Sequence, residues 1–102
     1  MKVLIRIINR KITNIVADDE SLVMSVDNKQ SSFDAREFVA KMTIITSTWD
    51  TRYDNPHILD GEEYLIKFIT SDGERILSGK NEFPENYDEF KELISEVTKL
   101  WN

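Results

Sequence analysis

The stretch FDAREFVAKMTIITSTWD, Phe33 to Asp50, decides the fold of this chain. Its first half carries a helix start. Asp34 stands at an N-cap position with Glu37 three residues on, and Phe33 and Phe38 fall where a hydrophobic staple places its two apolar side chains. Phe38, Met42, Ile45 and Trp49 follow at helical spacing, and Tyr53 continues the line. The second half argues the other way, because five of the six residues in TIITST (43–48) are β-branched, and crowding at χ1 disfavours them in a helix. The start signal and the 3.6-residue period agree, so the stretch predicts one helix reaching Trp49. A short helix followed by a strand is the alternative.

Upstream, KVLIRII (2–8) reads as a strand rich in β-branched residues, and Asn9-Arg10-Lys11 as a polar break. Ile12 to Val16 and Leu22 to Val26 read as two further strands, separated by the acidic turn Asp18-Asp19-Glu20-Ser21. DNKQSS (27–32) reads as a loop. Downstream, Asn55-Pro56 ends the helix or follows its end, since the residue before a proline is pushed out of the α region. Tyr64 to Thr70 alternate as a strand, Asp72-Gly73 centres a hairpin turn, and Arg75 to Ser78 return. In NEFPENYDEFKELISEVTKLWN (81–102), Asn86 caps a last helix with Glu89 at N3. Tyr87, Phe90, Ile94, Val97 and Trp101 form its apolar stripe. The order βββ-α-ββ-α predicts a single α+β domain over 1–102, an antiparallel sheet of four to five strands with both helices packed on one face, a two-layer sandwich.

Composition narrows the function. Of 102 residues 40% are hydrophobic and 31% charged, and the formal net charge is −6. The acid is concentrated in residues 50–96, which carry 5 basic and 13 acidic groups. A phosphate backbone needs a cationic footprint, so direct nucleic-acid binding is not expected, whereas a basic partner is. The absence of cysteine removes thiolate nucleophiles and thiolate metal sites and fits a reducing, cytoplasmic setting. No run approaches the roughly 18 apolar residues of a membrane span.

The residues that could carry catalysis are few. His57 is the only histidine, set among Asp50, Asp54, Asp60, Glu62 and Glu63. Asn55-Pro56 denies this segment the helical spacing on which paired ligands converge, and its acids do not fit a calcium-loop register. It reads as a capped joint with Ile58 and Leu59 turned inward. A lone histidine, no GxSxG and no glycine-rich phosphate loop before Ser78-Gly79-Lys80 leave no nucleophile with a base. Trp49 and Trp101 lie on apolar stripes and read as core. No catalytic residue, metal or cofactor is expected.

The candidate site is the polar side of the last helix. Glu85, Asp88, Glu89, Glu92 and Glu96 all fall away from the apolar stripe. Asp88–Glu92 and Glu92–Glu96 are like charges at i, i+4, with Glu85–Glu89 as a third such spacing, and each costs a few tenths of a kcal/mol, roughly. Acids in the first turn favour the helix dipole. That accounts for Glu85, Asp88 and Glu89, but not for Glu92 and Glu96. A solubilising face is one reading of these carboxylates; a surface for a basic partner, including mimicry of nucleic-acid phosphates, is the other.

The segments WDTRYDNPHILDGEEYLIKF (49–68) and NEFPENYDEFKELI (81–94) together resemble a pattern found in small uncharacterised proteins of low-GC bacteria and their phages. Phe83-Pro84-Glu85-Asn86-Tyr87, opening the last helix, is its most specific part. The resemblance covers about half the chain and brings no activity residue by residue. It implies a mobile-element context, in which small, acidic, cysteine-free proteins are often inhibitors of host defence nucleases, anti-CRISPR proteins among them. The expected function is therefore a non-enzymatic protein-binding module, monomer or homodimer, that blocks a basic surface of a nucleic-acid-binding defence protein. The alternative is an assembly protein forming a homo-oligomer through sheet edges or the Trp101 end.

Overall fold

A computed structural model describes residues 1–55, 61–98 and 100. Its first elements are three strands, β1 (Lys2–Asn9), β2 (Lys11–Asp18) and β3 (Val23–Val26), paired antiparallel in sequence order. They confirm the expected meander with longer strands. Asn9 pairs with Lys11 across Arg10, so the polar break is itself the hairpin turn, and Arg10 takes the positive φ (65°) that closes it.

The segment read as a loop holds a short strand β4 (Lys29–Gln30). Val26 pairs with Lys29, leaving Asp27 and Asn28 as a two-residue turn with φ of 50° and 67°. Both central residues positive is the type I′ geometry whose twist matches that of antiparallel strands. Asp27 also bonds back to β2, its side chain accepting from Asn14 N at 2.8 Å and its N–H donating to Asn14 O at 2.8 Å.

Helix α1 (Ala35–Ile45) begins as expected. The Asp34 carboxylate accepts from the N–H groups of Arg36 and Glu37. Phe33 and Phe38 meet edge to face at 6.2 Å. The helix does not reach Trp49. It stops at Ile45, a 3₁₀ turn covers Thr46–Thr48, and the chain then enters β5 (Arg52–Asp54). The β-branched run decides this. Thr43, Thr46 and Ser47 bond their hydroxyls back to the carbonyls of Val39, Met42 and Ile44, each at 2.8 Å, a pattern that bends and ends helices. The answer lies between the two readings, with both a helix and a strand.

Strands β6 (Glu63–Thr70) and β7 (Gly73–Lys80) form the expected hairpin. Thr70 opposes Gly73, so the turn residues are Ser71 and Asp72, and Gly73 supplies the positive φ of 139°. Helix α2 (Tyr87–Val97) closes the described fold.

The sheet order is β4-β3-β2-β1-β6-β7-β5, seven strands among the described residues. All neighbours are antiparallel except β5, which runs parallel to β7. The expected four or five antiparallel strands are thus corrected to a larger, mixed sheet, because two- and three-residue strands at the edges are too short to show any period. One face of the sheet is buried: Val3, Ile5 and Ile7, Ile15 and Ala17, and Tyr64, Ile66 and Phe68 alternate inward. Both helices cover that face with Phe38, Val39 and Met42 from α1 and Phe90, Leu93 and Ile94 from α2. Fully burying each such side chain stabilises the fold by about 1.5–3 kcal/mol.

Candidate functional site

The last helix is held by its first residues. Asn86 occupies the N-cap position, but its side chain bonds no backbone N–H of the helix. It reaches instead across to the end of α1. Its Oδ1 accepts from Trp49 Nε1 at 2.6 Å, and its Nδ2 donates to Ile45 O at 2.9 Å and to Glu89 Oε2 at 3.1 Å. The capping role read from the sequence is therefore corrected: Asn86 clamps α1, Trp49 and α2 together, satisfying polar groups that the end of α1 would otherwise bury unpaired. Glu89 N–H is served by the Asn86 backbone carbonyl at 3.1 Å.

Beneath the clamp lies an aromatic cluster of Trp49, Tyr64, Phe83, Tyr87 and Phe90, with ring centroids 4.3–6.3 Å apart. Trp49 is 6% exposed, so its core reading holds although it lies outside the helix. Tyr87 donates its hydroxyl to Glu62 Oε2 at 2.8 Å. Burial, followed by the nearby Glu62, holds the Tyr87 phenol well above its ordinary value. Burial does the same for Tyr64, with Tyr53 adding to it, and the Tyr64 hydroxyl has no hydrogen-bond partner among the described residues.

The five candidate carboxylates end up where the clamp puts them. Tyr87, Phe90, Leu93 and Ile94 are buried, and Glu85, Asp88, Glu89, Glu92 and Glu96 are all exposed. Four of these acids are on the helix, facing away from the core. Glu85 is not: it lies in the turn where Tyr87 N–H bonds Pro84 O at 3.1 Å, so Glu85–Glu89 is not a helical i, i+4 pair. No ion pair reaches any of the five among the described residues. Glu96 lies toward Lys41 of α1, whose ammonium is held above its ordinary value first by Glu37, 3.0 Å away, and further by Glu96. Among the described residues Glu89 has the Asn86 donor and Glu96 the Lys41 ammonium, and Glu85, Asp88 and Glu92 are the least compensated of the set.

Other sequence candidates do not gather. His57 and Trp101 lie outside the described residues. Ser78, Gly79 and Lys80 belong to β7, a strand rather than an anion-binding loop. No group of three metal-ligating side chains occurs among the described residues. No described helix is long and apolar enough to cross a membrane. Comparison with protein-family models, curated proteins and solved structures finds no match.

Proposed function

We propose that the chain is a non-enzymatic binding module that sets the acidic face of α2 against a basic surface of a protein partner. The observation carrying this reading is the row Asp88, Glu89, Glu92 and Glu96, exposed, without ion pairs among the described residues, and with like charges at i, i+4 in Asp88–Glu92 and Glu92–Glu96. A solvated helix face selected for stability gains by interleaving lysine, and this one has Lys91 alone among four acids. From Asp88 to Glu96 the row spans about 12 Å of helix axis. That is about one charge per 4 Å, against about 3.4 Å per charge along one DNA strand. Such a row suits a groove evolved for phosphates, and Glu85 extends it. The class of partner, a nucleic-acid-binding protein of a host defence system that the chain inhibits in anti-CRISPR fashion, rests on the resemblance of the FPENYDEF segment.

The test pairs the native chain with the double variant Glu92→Lys, Glu96→Lys as baits on a bacterial lysate. The partner is expected to bind the native chain, to elute as salt rises, and to miss the variant. The variant should keep native circular dichroism, and Glu92→Lys by itself should raise stability by a few tenths of a kcal/mol, roughly, by pairing with Asp88 and Glu96. Capture of the same partner by both baits with the same salt dependence would overturn the reading.

A further inference from the structure

We propose that the open face of the sheet is a symmetric contact between two copies of this chain. Antiparallel sheets with one solvated face ordinarily alternate apolar inward and polar outward. Here the outward set is substantially apolar. Of the six large apolar side chains left exposed among the described residues, four lie on this face: Ile12 at 51%, Val23 at 51%, Leu65 at 40% and Ile76 at 44%. Leu4, Val16 and Ile69, half-buried, fill in between them. Four eight-residue strands, β2, β1, β6 and β7, carry the patch apart from Val23, which sits beside it on β3. At about 4.8 Å between strands and 3.4 Å per residue they outline roughly 500 Å² of flat footprint per copy. Two copies then reach the lower bound of a specific interface, about 1,000–1,200 Å² in total.

The charges on the face say which occupant fits. The registers align Ile15, Ile5, Ile66 and Leu77 in one row across the sheet. Three residues to one side on β7 is Glu74 and three to the other is Lys80. They are about 20 Å apart, too far to pair within one chain, and neither has an ion pair among the described residues. A twofold axis crossing the strands at that row lays Glu74 over Lys80 of the second copy, and Lys80 over its Glu74. The same operation brings Lys67 beside Glu63 of the second copy and Arg6 beside its Asp18. Each cation near the centre thus gains a carboxylate while its aliphatic stem covers apolar surface. A concavity of about 370 Å³, lined by Arg6, Leu65, Ser78 and Lys80 among others, lies where Ile69 and Ile76 of the second copy arrive. The sheets would stack about 10 Å apart, their strands crossing at about 30°. Because α2 covers the opposite face, both acidic helices stay on the outside, and the contact stands independently of any partner for them.

Sedimentation velocity on the native chain tests this. A dimer is expected whose dissociation constant weakens at least tenfold, roughly 1.4 kcal/mol, with Leu65→Glu and again with Ile76→Glu, while both variants keep native circular dichroism. Glu74→Lys and Lys80→Glu should each weaken the dimer, and the double swap Glu74→Lys with Lys80→Glu should restore it. That rescue cannot arise within one chain, so it separates a specific contact from general loss of solubility or folding. A strict monomer at about 100 μM, where even a micromolar contact is mostly formed, would overturn the proposal. So would a dimer indifferent to Leu65→Glu and Ile76→Glu, or a charge swap that fails to rescue.

Discussion

Replacing Asn86 by Asp separates a helix cap from a clamp. At N-caps Asn, Asp and Ser are nearly interchangeable, and a new negative charge at a helix start gains about 0.3–1 kcal/mol from the dipole. A residue that merely caps α2 would therefore tolerate aspartate or benefit from it. The observed geometry requires the opposite. Aspartate keeps the Oδ1 acceptor for Trp49 Nε1 but loses the Nδ2 donor, so a carboxylate oxygen then faces Ile45 O and Glu89 Oε2, now 2.9 and 3.1 Å from that donor. Two attractive contacts become repulsive, leaving a carbonyl at the end of α1 unpaired, at a cost of about 2–3 kcal/mol before the dipole term and about 1–2.7 after it. Asn86→Ala should cost about 2–4 kcal/mol, because it also orphans the indole N–H of the buried Trp49. Urea unfolding followed by far-UV circular dichroism, with Trp fluorescence alongside, measures both. Lowering the pH should narrow the gap between the aspartate variant and the native chain as the facing carboxylates protonate. Native stability of Asn86→Asp at neutral pH would refute the clamp.

Three other outcomes follow from the aromatic cluster. Tyr64→Phe removes a buried hydroxyl that has no partner among the described residues and should leave stability unchanged or raise it by about 1 kcal/mol, whereas Tyr87→Phe breaks the bond to Glu62 and should lower it by about 1–2 kcal/mol; thermal unfolding of both variants decides. Both phenols titrate above their ordinary value in the folded chain, so their contribution is intact below about pH 10 and is lost above it, at about 1.4 kcal/mol per pH unit for each. Tyr64→Phe should make the alkaline decline shallower by that amount; an unchanged slope would show that the Tyr64 phenol ionises freely. Gly79→Ala sets a Cβ into the Tyr64 ring that lies over it and should cost about 1–3 kcal/mol, read by chemical denaturation; a neutral result would mean the ring does not rest on that strand.

The acidic face of α2 was legible because its cause is local. Helical period and side-chain type alone place Asp88, Glu89, Glu92 and Glu96 opposite Phe90 and Ile94, and the structure leaves all four exposed. Glu85 counts with the same acidic face in the sequence, but the cap at Asn86 sets it just before the helix, where the structure has it. The Asn86 clamp was not legible: its partners are 37 and 41 residues away, and Asn at a helix start looks the same whether it caps the backbone or ties down a neighbouring element. The symmetric charges of the open sheet face were hidden for a similar reason. Glu74 and Lys80 acquire meaning only once the register sets Ile66 opposite both Ile5 and Leu77.

By itself, then, the sequence determined what propensity, periodicity and capping control: a meander, a capped α1 with its staple, a hairpin and an amphipathic α2, arranged as α+β. Tertiary structure decided the rest. It stopped α1 at Ile45, where threonine hydroxyls compete for helix carbonyls. It added β4 and β5 at the sheet edges, the latter by parallel pairing with a strand more than twenty residues downstream. Elements this short gain too little from their own residues to form alone, and exist because a neighbouring strand already presents the backbone groups they complete.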